Sequence, residues 1–426
     1  MDVNLLFNIV PKLLPGFMLG IVALIGLLIQ KKSFDDVIRG TVKTMAGVLI
    51  LFVGVDILSA VIGYIATLFS EVYAIEGGAQ VYDWVAYLGE YGVQIVLVMV
   101  FGFLVNLLIA RFTKMKYVFL TGHILFWYAY TMVGAVADGG VITGWVLIAV
   151  SSVLLGIFVT VMPALTAPYV EKTIGSKDFI IGHSTNGLSW LQAVIAKAVG
   201  NPEKSMEDIK FPKGLNWMKE MVISTSVIMF LLFVVFSLIA GIPYAAATFT
   251  GGTVWLLWFW IVFQSIQFGA GLVILLTGVR MMLAEIVPAF RGIAMKVVPD
   301  AVPALDCPMI FPYGPTSLTI GFVVSMAVQL VTIMVFGIVG FKFVLVPMIV
   351  AAFFDAAPGA VLANKLGGQR GVIVGAIVAG VVMVFLQAFG MMFVTHTAAG
   401  FVQLFGGNDV GLMAIVVGGI ARLLGF

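Results

Sequence analysis

Asp306 sits in the run Pro299-Asp300-Ala301-Val302-Pro303-Ala304-Leu305-Asp306-Cys307-Pro308-Met309-Ile310-Phe311-Pro312-Tyr313-Gly314-Pro315, which holds five prolines in seventeen residues. Proline removes a backbone donor and fixes φ, so no continuous helix passes through this run. Its flanks are strongly apolar. In a bilayer, broken backbone is tolerated only where it is buried in protein or lines a wet cavity. Many transporters hold their substrate where such broken segments meet near the midplane. The pattern therefore points to a carboxylate inside a membrane-depth cavity; a cytoplasmic loop with a solvated acid is the alternative. A carboxylate there can accept hydrogen bonds from hydroxyl groups, and Asp306 is also a candidate general base that takes a hydroxyl proton.

Two further polar runs interrupt apolar sequence. Thr121-Gly122-His123 opens one predicted span, and Ile181-Gly182-His183-Ser184-Thr185-Asn186-Gly187 lies in another apolar stretch. Each histidine follows a glycine, which lets another group approach the imidazole closely. His, Ser, Thr, Asn and Asp can each donate or accept a hydrogen bond, which suits a polyhydroxylated ligand. An ionisable group at membrane depth costs roughly 2.5–3.5 kcal/mol for Asp at a helix centre, so a functional role is its default. The competing reading of the histidines is a helix-end side chain reaching for the interface. His396, in Thr395-His396-Thr397, fits that second reading. Asp56 and Asp355 fall within predicted spans but outside any broken or histidine-bearing stretch, and they read as structural hydrogen-bonding groups. Tyr73 offers a ring and a hydroxyl to a ligand, or an aromatic anchor at the interface.

Other chemistries are disfavoured. The chain has one cysteine, Cys307, which excludes an intramolecular disulfide and a CxxC redox or zinc motif. With no base near it in sequence, it reads as an inert thiol. The three histidines show no HxxxH or HxH spacing, which argues against a metal. No Walker loop and no GxGxxG before a helix is present, so no phosphate loop for ATP is expected. Gly367-Gly368 after Lys365 reads as an interhelical turn beside a basic patch. No resident cofactor is expected.

The elements that must carry these groups are helical spans. Of 426 residues, 62% are hydrophobic and only 10% charged, with a net charge of +2; the mean hydropathy is +1.18. Soluble domains carry roughly 25% charged residues. The expected fold class is an all-α polytopic membrane protein, and its small charge gives no reason to invoke nucleic acid. About twenty mostly apolar residues make a span. On that measure eleven spans are expected, at roughly 10–30, 43–66, 92–110, 117–134, 141–165, 221–241, 253–279, 317–339, 343–362, 371–394 and 408–424. Lys and Arg collect in alternate loops: Lys31, Lys32, Arg39 and Lys43 after the first span, Arg111, Lys114 and Lys116 after the third. The connection around Glu71, Glu76, Asp83 and Glu90 carries no base. That asymmetry puts the N-terminus outside and the C-terminus in the cytoplasm.

Two segments do not fit simple crossing. Residues 178–199 and 297–316 are too apolar for free loops and are flanked by bases on one side, so both read as re-entrant. The loop at 200–220 is the most polar part and is either a partner surface or a linker. Leu68-Phe69-Ser70-Glu71 and Met282-Leu283-Ala284-Glu285 each follow a long span, on opposite faces in this topology. They suggest an inverted repeat, with halves at 37–165 and 220–365 inside one membrane unit covering 1–426.

Several short motifs occur in one order along the chain: Gly40-Thr41-Val42-Lys43-Thr44, Ser70-Glu71-Val72-Tyr73, Leu120-Thr121-Gly122-His123-Ile124, Ile181-Gly182-His183, Gly278-Val279-Arg280-Met281, Leu305-Asp306-Cys307 and Ala363-Asn364-Lys365-Leu366-Gly367-Gly368. In this the chain resembles the membrane component (enzyme IIC) of the bacterial phosphotransferase system, of the L-ascorbate type. The resemblance implies a homodimer in the bacterial inner membrane, with a substrate-holding core that moves against a dimer-forming scaffold in an elevator-like exchange of access. It implies a sugar phosphorylated on the cytoplasmic side by a phosphocysteine on a soluble IIB protein, itself charged by IIA. It carries His123, His183, Asp306 and Tyr73 over as ligand contacts. Ascorbate-type members tend to have glutamine where this chain has Trp127 and Ser184. Those two residues thus become candidate contacts for a different sugar, sugar acid or polyol, since a polar site rejects analogues that leave its groups unpaired. A proton- or sodium-coupled secondary transporter, with Asp306 and the histidines as relay, is the alternative function. A membrane receptor without transport is a third.

Overall fold

The structure is a computed structural model that describes residues 16, 17, 20, 21, 23–72, 84–209 and 220–425. Long apolar stretches form long helices: α1 (Phe34–Val72), α2 (Trp84–Phe112), α3 (Gly122–Ala137), α4 (Gly144–Ile174) and α5 (Asn186–Val199). They are followed by α6 (Met221–Ala240), α7 (Ile242–Thr250), α8 (Val254–Val297) and α9 (Pro315–Ile338). A helical turn at Ile349–Ala351 and a π-helix at Ala352–Ala356 lead into α10 (Ala357–Met392), and α11 (Ala399–Phe405) and α12 (Asp409–Leu423) complete the chain.

Among the described residues six helices are long and apolar enough to cross a membrane, or seven if the pair bent by 116° at Gly241 counts as one crossing. This corrects the expectation of about eleven, and the reasons are local. The stretch 117–134 begins as extended chain, leaving α3 with 16 residues. The tail 408–424 supplies only the 15 residues of α12. The spans read at 343–362 and 371–394 belong to one helical run, Ile349–Met392. Within that run two helices meet across a kink at Gly368, whose φ of 58° and ψ of −151° are not helical, at the place where the sequence suggested an interhelical turn. Of the predicted first span, residues 16, 17, 20, 21 and 23–30 are described, and all of these but residue 30 are helical.

The inverted repeat is also not shown. The helices that carry its two halves, α1 and α8, pack on each other along much of their length. Gly54 lies against Leu275 and Gly278 against Leu51, where a Cβ would strike backbone; small residues let membrane helices approach this closely. Among the described residues the one broken crossing is at Gly241, and neither 178–199 nor 297–316 is such a pair. Each of those two segments instead contributes a short strand, and α5 follows the first.

Those strands are the device that gathers the site. β1 (Tyr117–Phe119), β2 (Ile180–Ile181) and β3 (Val302–Leu305) form a small parallel sheet in the order β1-β3-β2. Phe119 pairs with Ala304, and Ile181 with Leu305. The Gly182 N–H donates to the Leu305 carbonyl at 2.6 Å, and a Cβ on Gly182 would stand 2.5 Å from the Ala304 oxygen. A sheet edge buried in a membrane protein must find partners. Buried Asn106 of α2 supplies them to β1: its amide donates to the Tyr117 carbonyl (3.1 Å) and accepts from the Phe119 N–H (3.0 Å).

The helices sort into two groups. α1, α6, α7 and α8 pack on one another; α2 to α5 and α9 to α12 form the second group with the sheet. The two meet where α2 and α3 touch α8. At one end of the second group, Glu207 caps α9: its carboxylate accepts from the N–H groups of Thr316 (2.9 Å) and Ser317 (2.8 Å).

Candidate functional site

The three strands are parallel, so their carboxyl ends point the same way, and each delivers one predicted residue. His123 lies four positions after β1, His183 two after β2, and Asp306 directly after β3. His123 Nε2 is 3.9 Å from Asp306 Oδ2, and His183 Nε2 is 3.7 Å from Asp306 Oδ1. These separations are too long for direct hydrogen bonds. The carboxylate is held in place by the Cys307 N–H, which donates to Oδ1 at 2.7 Å. The three groups open on a cavity of about 660 Å³.

His183 has a second acid behind it. Its Nδ1 lies 3.1 Å from Asp355 Oδ1. A carboxylate only accepts, so an ionised Asp355 favours a proton on Nδ1, and in the neutral ring Nε2 is then the nitrogen left to accept on the cavity side. Ser184 Oγ also donates to Asp355 Oδ1 (2.6 Å), and Asn408 Nδ2 donates to Oδ2 (2.6 Å). Asp355 stands in the π-helix, a form that recurs at functional sites. Side chains from the α5 region take the carbonyls this irregular turn exposes: Thr185 Oγ1 donates to that of Asp355, and Gln192 Nε2 to that of Ala356.

Asp409 anchors the same loop. Its carboxylate accepts from the N–H groups of Asn186 (3.1 Å) and Gly187 (2.7 Å) at the start of α5, where the helix dipole favours a negative charge. Tyr128 Oη lies 3.2 Å both from the Asp409 carboxylate and from the His183 carbonyl.

Trp127 follows His123 by one helical turn and lines the same cavity. Its ring stacks on Phe401 at 4.5 Å between centroids, 15° from parallel. The cavity is thus lined by a stacked aromatic pair as well as by the His–His–Asp cluster.

Residues 8–409 match the family of the PTS system sugar-specific permease component. The chain belongs to this family of membrane permeases. The permease is also 25% identical over 411 residues to the "Ascorbate-specific PTS system EIIC component" of Mycoplasma pneumoniae (strain ATCC 29342 / M129 / Subtype 1), an alignment covering 84% of this chain. The chain spans 62% of that relative's length.

Of the residues singled out from sequence, the permease brings His123, Trp127, His183, Ser184 and Asp306 to one cavity. Ser184 spends its proton on Asp355. Tyr73 lies outside the described residues. His396 is exposed and away from the cavity. Asp355 does form structural hydrogen bonds, but it forms them to a site histidine. Asn408, Asp409, Tyr128 and Phe401 were not singled out. Asn408-Asp409 carried a usable signal: two adjacent polar residues in an apolar tail, subject to the same insertion cost as Asp306.

Proposed function

We propose that this permease holds a sugar, sugar acid or polyol between His123, His183, Asp306 and Trp127, and presents it for phosphorylation by a IIB phosphocysteine. One observation carries the reading: three segments far apart in sequence bring two imidazoles and a carboxylate together beside an aromatic wall, in a cavity of about 660 Å³. That volume falls in the usual range for small-molecule sites, about 300–1,000 Å³. An Nε2 lone pair and a carboxylate accept hydrogen bonds from ligand hydroxyls, and an aromatic face suits the apolar C–H face of a sugar. Ascorbate is one member of the class. Trp127 and the turned-away Ser184 favour a ligand that offers a flat or apolar face.

The elevator-like motion belongs to the same reading. The cavity is lined by both helix groups, with Val273, Leu275 and Arg280 of α8 facing His123, His183 and Asp306 of the other group. The thinner seam between the groups supports a core sliding on a scaffold. In this reading the permease is a homodimer, with its N-terminus outside and its C-terminus in the cytoplasm. IIB docks on the basic face near Lys114, Lys116 and Lys365, because a phosphoryl donor is anionic. Lys114 and Lys365 are exposed; the side chain of Arg291, expected on the same face, lies outside the described set.

The test is uptake into vesicles holding IIA, IIB and the general phosphotransferase proteins. Uptake that needs phosphoenolpyruvate and yields phosphorylated sugar supports the reading. Uptake of unmodified sugar that an uncoupler abolishes overturns it in favour of ion coupling.

A further inference from the structure

We propose that His123, His183 and Asp306 also form a binding site for a divalent transition metal of the zinc type, which excludes the sugar when it is bound. The spacing along the chain argued against a metal, because none of the three is near another in sequence. The fold removes that objection. One ligand atom from each of the three residues lies within 4.8 Å of the other two.

The geometry is close to what zinc requires. Zn–N and Zn–O bonds of about 2.0–2.2 Å in a tetrahedral shell put neighbouring donors roughly 3.3–3.6 Å apart. The two N–O separations, 3.9 Å to Oδ2 and 3.7 Å to Oδ1, run to different oxygens of the carboxylate; with one donor atom taken from each residue the three lie within 4.8 Å of one another, so small side-chain rotations of up to about 1 Å close the shell. Three protein ligands leave a fourth position, which the cavity can fill with water or a hydroxyl.

The surroundings of His183 also match, whereas His123 Nδ1 is buried with no hydrogen-bond partner. A metal-binding histidine usually donates its other ring N–H to a carboxylate, which fixes the tautomer and raises basicity. His183 does this to Asp355 at 3.1 Å, and Asp355 is fixed in turn by Ser184 and Asn408. The donor set, two imidazoles and one carboxylate, selects zinc and its neighbours over magnesium or calcium, which take oxygen ligands. The lone pairs that would receive sugar hydroxyls are the ones a metal would take, so the two occupants exclude each other. The metal proposal itself does not rest on the transport reading, because metal binding is measurable without any sugar.

The experiment is calorimetric titration of the purified full-length protein in detergent with zinc chloride, beside magnesium chloride and with thermal melting in parallel. Wild type and His396→Ala should bind zinc alike, with a raised Tm, and should ignore magnesium. His123→Asn and Asp306→Asn should each lose zinc affinity by roughly 10-fold or more, and Asp355→Asn by roughly 10–100-fold, the usual effect of losing a supporting partner. The zinc-free Tm of each variant is compared with that of wild type, which guards against variants that merely fail to fold. No zinc binding by wild type overturns the proposal. So does zinc affinity unchanged in both His123→Asn and Asp306→Asn. If zinc binds with the expected variant pattern but leaves sugar binding untouched, the metal site stands and the sugar is not held by this cluster.

Discussion

The two helix groups solve the problem of burying polar groups in opposite ways. In the group of α1, α6, α7 and α8, the hydroxyls mostly bond within their own helix. Ser265 donates to the Ile261 carbonyl, Ser226 to Val222 and Thr277 to Val273, each one turn back. Such bonds hold no second element in place, and the helices meet through glycines. The site-bearing group joins polar residues more than 150 positions apart, as in His183 with Asp355 and Tyr128 with Asp409. A glycine crossing needs only close approach, whereas a polar network needs every partner at its own distance and angle. The first arrangement fixes how close the helices come and little else. The second suits a site whose atoms must not drift.

Substitutions can break this contrast, and the largest effect is expected at Asp306. Asp306→Asn keeps the shape and loses charge and basicity. If Asp306 is the base, single-turnover phosphorylation at saturating sugar falls by roughly 10²–10⁴-fold. A role in holding the ligand alone would instead weaken binding and leave that rate measurable. Wild-type values for both would remove Asp306 from the site.

Asp355→Ala strips the acceptor from His183, Ser184 and Asn408 together. Breaking a buried charged network by removing one partner costs about 3–5 kcal/mol. Thermal melting should show this loss, and sugar affinity should fall along with it, because the His183 tautomer is no longer fixed. An unchanged melting curve would mean that the network does not order the site.

Trp127→Gln removes the stacking on Phe401, a pair contribution of about 0.5–1.5 kcal/mol. The expected result is a shift of roughly tenfold or less in relative affinity between a neutral polyol and a sugar acid. Equal loss for both would assign Trp127 to packing alone.

Glu207 gives a pH-dependent prediction. Burial pushes its carboxyl up, but hydrogen bonds from Ser317 and Thr316 outweigh this and set it below its ordinary value of 4.5. The folded value lies below the unfolded one, so the stabilisation is complete above pH 4.5 and is lost as pH falls below it. Glu207→Gln should therefore flatten the acid limb of the Tm profile and change little at pH 7 beyond the loss of one helix cap. The smallest effect is expected in the other helix group: Ser265→Ala should stay within about 0.5 kcal/mol. A cost as large as that of Asp355→Ala would erase the contrast between the groups.

The membrane character was legible in the sequence because it follows from local physics, the family was legible from the order of short motifs, and five of the candidate residues read from the sequence line one cavity. An apolar run of twenty residues has one stable environment, and a carboxylate among prolines in such a run is too costly to be accidental. The number of crossings was less legible, since apolarity alone does not separate a span from a buried short helix. Residues 117–134 and 408–424 are apolar enough to cross, yet the first opens as a strand and leaves a 16-residue helix, and the second is a 15-residue helix packed on α3 and α10. Only the tertiary structure could decide that His123, His183 and Asp306 meet. Their meeting depends on strand pairing between segments nearly two hundred residues apart, and each of those strands is too short to leave a periodic signal. The role of Asp355 is of the same kind. In the sequence it is one acid in a hydrophobic helix, and its partners Ser184 and Asn408 are assembled only by packing α5, the π-helix and the start of α12 around it.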